Sequence, residues 1–142
     1  METANNQFII EKVTVSEGIG TFAEAILFFT PEKLYMLTTH KTEAMVGVKK
    51  TVFPETLIFF QQLKREMESE EGVNVVEKLE EFVRPMYQFT YTDLEKMKLK
   101  FGLFGSGLLL KRRNLGRTVI GLKPKALAKE LKAYFQKNGI AH

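Results

Sequence analysis

The 142-residue chain has no cysteine, two histidines, three serines and a single aspartate, Asp93. Without cysteine it can form neither a disulfide framework nor a thiolate metal site, which suits a reducing compartment. His40 and His142 lie far apart in the chain, and no His-x-x-x-His or paired-Asp cluster accompanies them. A zinc site would need carboxylates in place of the missing ligands, so no metal is expected. Ser16, Ser69 and Ser106 all lie outside a Gly-x-Ser-x-Gly elbow and have no evident His/Asp pairing, so no catalytic nucleophile is expected. The apolar runs at residues 25–29 and 108–110 fall far short of the roughly 20 residues that span a bilayer. Residues 1–7 carry neither a basic stretch nor a long apolar one, so no secretory signal is expected.

What is present fits an ordinary globular protein: 44% hydrophobic and 27% charged residues, in a length typical of one domain. The expectation is one domain over residues 1–142, located in the cytoplasm or peripherally on a membrane. Charge is unevenly spread. Residues 1–85 hold nine Lys/Arg and fourteen Glu, net −5, whereas residues 86–142 hold twelve Lys/Arg and three Asp/Glu, net +9. Such asymmetry can steer an anionic partner to the C-terminal half or let two copies attract each other.

Periodicity predicts strands at residues 8–15, 22–30 and 34–40, the last two joined by a turn at Thr30-Pro31-Glu32-Lys33. Gly18 and Gly20 predict a turn before them, and residues 44–48 a further short strand. From Pro54 the pattern turns helical, with Phe59, Leu63 and Met67 on one stripe beside Ile58 and Phe60, and Gly72 placed to end the helix. Asn74 and Glu77 resemble a capping box, and Val76, Leu79 and Val83 then repeat until Pro85. The outer face of this helical hairpin reads acidic at Glu66, Glu68, Glu70 and Glu71. Strands are predicted again at residues 88–91, 96–103, 108–112 and 117–122, with turns at residues 92–95, 104–107 and 114–116. Pro124 opens a last helix in which Leu127, Leu131 and Phe135 form a stripe.

The hairpin Ala25-Ile26-Leu27-Phe28-Phe29-Thr30-Pro31-Glu32-Lys33-Leu34-Tyr35-Met36-Leu37 resembles the first hairpin of bacterial pleckstrin-homology-like and GRAM-type domains. Tyr91-Thr92-Asp93-Leu94-Glu95-Lys96-Met97 is similar to the step before their later strands, and residues 107–122 with the last helix follow the same plan. The resemblance implies an α+β fold: a strongly bent antiparallel sheet or partly open barrel of about six or seven strands, capped by the C-terminal helix. It also implies a non-enzymatic binding module. Residues 54–86 would then be a helical insertion. Phosphoinositide-binding members share a Lys/Arg run over the first hairpin, and here that turn offers only Lys33 beside Glu32.

Gly102, Gly105 and Gly107 could cradle a phosphate, but they lack a Gly-Lys-Ser/Thr ending and a strand follows them, so they read as a β-turn. Glu80 and Glu81 are neighbours on a helix and diverge by about 100°, unlike an acid/base couple. No cofactor is expected. One cluster carries a functional candidate: Lys111, Arg112, Arg113 and Arg117 crowd one hairpin tip, with Lys98, Lys100 and Lys96 on the neighbouring strand. It can be a solvated face, a contact for an anionic protein or lipid surface, or, with charge as the sole footprint, a weak nucleic-acid candidate. The expected partner is a protein or a second copy, since the helical hairpin must bury apolar residues on more than one side, either against the sheet or against a second copy. Lipid and a small-molecule enzyme remain as alternatives.

Overall fold

The computed structural model describes residues 1–3, 6–17, 20–44, 47–69, 74–103 and 105–142. Among them lie strands β1 (Phe8–Ser16), β2 (Thr21–Phe29), β3 (Lys33–Glu43) and β4 (Lys49–Val52), followed by helices α1 (Pro54–Ser69) and α2 (Val75–Phe82). Strands β5 (Gln88–Thr90), β6 (Leu94–Phe101), β7 (Ser106–Arg112) and β8 (Arg117–Leu122) come next, and α3 (Lys125–Lys137) ends the order. The sheet runs β4-β3-β2-β1-β8-β7-β6, antiparallel throughout and not closed. Its two halves meet where residues 14–16 of β1 pair with residues 119–121 of β8. The outer edge of β3 is shared: β5 takes residues 33–35 and β4 takes residues 40–43.

Successive strand residues point to opposite faces, so a strand buried at every position must be covered on both sides. The run from Ala25 to Phe29 is such a strand. Ala25, Leu27 and Phe29 join Leu34 and Met36 in an inner core with β6–β8 and α3, while Ile26 and Phe28 join Tyr35 and Leu37 in an outer core with α1 and α2. Both sheet halves contribute to the inner core, which requires the sheet to bend around it. Register breaks at residues 10–13 of β1 and residues 24–25 of β2 supply irregularities of the kind that curve a sheet.

Helix α3 plugs this bend. Ala128, Leu131, Tyr134 and Phe135 are buried, with Leu127 packed beside them. Phe135 sets its ring edge-on to Phe29 at 5.6 Å and to Tyr91 at 6.5 Å. The Tyr134 hydroxyl donates to the Asn6 carbonyl at 2.8 Å, and burial raises its pKa. Tyr91, whose pKa burial also raises, donates to the Thr30 and Lys33 carbonyls and so ties the start of the C-terminal half to the β2–β3 turn.

The helix pair covers the outer face. Phe28 meets Phe60 edge-on, and the Phe59 and Phe82 rings stack at 4.1 Å to join α1 to α2. A polar clamp fastens α2 to β3: Glu80 accepts from Lys33 Nζ at 2.6 Å and from Tyr35 Oη at 2.7 Å. The lysine bond, then the tyrosine bond, hold the Glu80 carboxyl below its ordinary pKa. A carboxyl lowered in the folded state adds stability that is complete above its unfolded pKa and is lost as pH falls through the folded value. Glu80→Gln is therefore expected to melt below the parent at neutral pH and to lose less on acidification, which melting curves across the acid range would read.

The α+β class, the C-terminal helix and the mid-chain helix pair match the sequence expectation, while several details differ. Among the described residues the strands number eight, as the strand-by-strand reading predicts and against the six or seven of the family plan, with β4 and β5 as short segments sharing one edge of β3. The strand expected at residues 44–48 lies later, at Lys49–Val52, with Met45 and Val46 outside the described residues. Val75, not Val76, faces the core with Leu79 and Val83, while Ile58 is exposed beside the buried Phe60. Asn74 does cap α2 through the Glu77 amide at 3.0 Å. Ser106 and Gly107 belong to β7, so the turn is tighter than expected. Gly102 N–H donates to the Gly105 carbonyl at 2.9 Å, and a Cβ on Gly102 would lie 2.8 Å from that oxygen. The expectations for Gly18, Glu70, Glu71, Gly72 and Phe104 lie outside the described residues.

Candidate cationic interface

The alternation of β6 separates Lys96, Lys98 and Lys100 from Met97 and Leu99, and the apolar set turns to the inner core. Antiparallel partners share a face. Lys96 pairs with Lys111 and Lys111 with Arg117, while Lys98 pairs with Leu109 and Leu109 with Val119. The outer face of β6–β8 therefore carries Lys96, Lys98, Lys100, Lys111 and Arg117 together. Across the seam the row continues from Val119 to Ser16 and from Ser16 to Phe22. Val119 is 45% exposed, which sets one apolar side chain beside the cations, and Phe22, 48% exposed, stands two strands further along the row. Sequence reading missed Phe22 because its place in the row depends on the β1–β8 pairing, which local periodicity does not encode, while alternation with Arg117 across the β7–β8 hairpin could have found Val119.

Glu95 is the carboxylate bonded to this cluster. It forms an ion pair with Lys111, whose bond lowers its pKa, and Arg113 adds a smaller attraction. Arg113 and Arg117 are exposed on either side of the β7–β8 turn, where Asn114 adopts a φ of 60° and Leu115 stands 58% exposed at the apex.

Arg112 does not share this face. Its guanidinium lies 4.1 Å from the Phe89 ring centroid and donates to the Gln88 carbonyl at 2.8 Å. Burial lowers its pKa. The stack and the bond anchor β5 to β7, so Arg112 acts as a strut between strands. Six of the seven cations singled out from sequence thus gather around the outer face and its tip: Lys96, Lys98, Lys100, Lys111, Arg113 and Arg117. Behind the tip, a hollow of about 190 Å³ is lined by Met86, Tyr87, Phe89, Leu110, Arg112 and Leu115, among others.

Among the described residues no group of three or more His, Cys, Asp or Glu side chains is placed to hold a metal ion, and no helix is long and apolar enough to cross a membrane. The fold and this face define an α+β protein with an open, curved antiparallel sheet and a cationic outer surface. Compared with protein-family models, curated proteins and solved structures, the chain matches none.

Proposed function

We propose that this chain is a non-enzymatic binding module of the pleckstrin-homology-like kind, and that its cationic sheet face holds an acidic partner protein. The observation that carries the reading is the register of β6–β8. It aligns Lys96, Lys98, Lys100, Lys111 and Arg117 on one face, with the exposed Val119 beside them. Cations around exposed apolar side chains supply both halves of a contact: charge guides approach and register, and apolar burial adds affinity. The bent sheet with α3 in its bend supports the family resemblance and gives the face a rigid backing.

A poly-glutamate peptide serves as the probe. Binding is expected to weaken as salt rises. Lys98→Glu, Arg113→Glu and Arg117→Glu together should abolish it while the melting temperature stays near that of the parent, because all three side chains are exposed. Arg112 is left intact in this variant, since its loss would disturb the β5–β7 strut. Unchanged peptide binding by the triple variant would remove the proposal.

A second reading is favoured by Leu115, an exposed aliphatic residue at the apex between Arg113 and Arg117. On an anionic bilayer this tip would place Leu115 among the acyl chains and the arginines among the headgroups, in a peripheral, reversible attachment. Each such cation contributes about 1 kcal/mol at an anionic surface. Sedimentation with phosphatidylserine vesicles separates the two readings: capture that depends on Leu115 favours lipid, and peptide binding without vesicle capture favours protein.

A further inference from the structure

Strand β6 ends the sheet, and among the described residues its far edge pairs with no strand. The ladder to β7 shows which backbone groups point outward. Gly102 N–H donates to the Gly105 carbonyl at 2.9 Å, in register with the pairs Lys100–Gly107, Lys98–Leu109 and Lys96–Lys111. Hydrogen-bonded and non-bonded pairs alternate along an antiparallel ladder, so these three lysines bond to β7 through their backbone. Met97, Leu99 and Phe101, between them, send their N–H and C=O groups to the free edge. Such an edge is a template for one more strand.

Cations flank this edge on both sides. Lys96, Lys98 and Lys100 stand on the outer face of β6, and Lys132 of α3 reaches the other side, its Nζ 5.6 Å from the Phe101 ring centroid. Lys125 and Lys129 share the Lys132 side of α3 at helical spacing. All six are exposed and make no ion pair among the described residues. The single carboxylate on each element is engaged or turned away: Glu95 pairs with Lys111, and Glu130 borders Met1 and Glu2. A strand laid along β6 would set alternate side chains beside the β6 lysines and the others beside α3, so acidic residues at successive positions would all meet cations. A second copy does not fit, because antiparallel pairing of β6 with itself sets lysine against lysine.

We propose that β6 takes up an acidic, extended segment of the partner protein as an added strand, bonded through Met97, Leu99 and Phe101 and flanked by the lysines of β6 and α3. This rests on the reading of the cationic face as a contact for an acidic protein, and adds the form in which that partner is held.

Poly-glutamate and the same peptide N-methylated at every amide carry equal charge, but only the first can donate to a strand edge. With the plain peptide bound, amide hydrogen exchange is expected to slow at Met97, Leu99 and Phe101, while the Lys96, Lys98 and Lys100 amides, already bonded to β7, change little. By calorimetry the N-methylated peptide should bind at least about tenfold more weakly. Lys129→Glu with Lys132→Glu changes two exposed side chains, so the variant should melt near the parent and bind the plain peptide about tenfold more weakly. Equal binding of the two peptides, unslowed exchange at the three edge amides in the saturated complex, or parental affinity in the α3 variant would each overturn the added strand. In those cases loss of binding in the Lys98, Arg113 and Arg117 variant would still keep the cationic face as a contact for charge alone. Absence of any peptide binding would remove both.

Discussion

Replacing Phe135 with alanine is expected to lower the free energy of unfolding by about 3–5 kcal/mol, the range for deleting a buried aromatic ring. Phe135 has no exposed surface and touches Phe29, Tyr134, Tyr91 and His142. It is the point where α3 meets β2 and the turn before β6, and removing it leaves a cavity that rigid neighbours on three elements cannot close. Domains are stable by only about 5–15 kcal/mol. The variant should therefore unfold at much lower denaturant, by circular dichroism, than the parent. A midpoint shift equivalent to less than about 1 kcal/mol would mean that α3 does not hold the bend together.

Leu79→Ala addresses the other face and should cost about 2–5 kcal/mol. Leu79 is fully buried in the outer core with Phe28, Tyr35, Leu37, Phe60 and Leu63. Because β2 and β3 are buried on both sides, the two cores share their backbone, and the loss should appear as one shifted transition. A separate early melting step for the helix pair would show the outer core to be an accessory layer. Ile58→Ser is the matched control, since Ile58 is exposed on α1, and it should move stability by no more than about 0.5 kcal/mol.

Much of this architecture was written in local patterns. The alternation of Lys96, Lys98 and Lys100 with Met97 and Leu99 marked a half-buried strand. Leu131 and Phe135 marked the inner stripe of α3, and Asn74 with Glu77 marked the start of α2. The unbroken apolar run from Ala25 to Phe29 also carried more than a hairpin, since a strand without alternation needs a cover on each side. That signal, joined to the amphipathic helices after Pro54, favours burial of the helix pair against the sheet, the first of the two covers open to it.

The candidate site was less legible. Arg112 follows Leu108 and Leu110 at two-residue spacing, so its turn towards the inner side was available from alternation, but the dense run of cations drew it into the cluster. The bond between Lys111 and Glu95 depends on a register break at residues 94–96, which no local rule supplies. Val119 joins the lysine row through the β7–β8 hairpin, whereas Phe22 joins that row only through the pairing of β1 with β8, a contact between distant parts of the chain.

The central functional claim concerns one face, and amide NMR during titration with a poly-glutamate peptide tests it residue by residue. The account predicts salt-sensitive shifts at Lys96, Lys98, Lys100, Lys111, Arg113, Arg117 and Val119, with α1 and α2 unmoved. Shifts centred on the helix pair, or none at all at low salt, would contradict it.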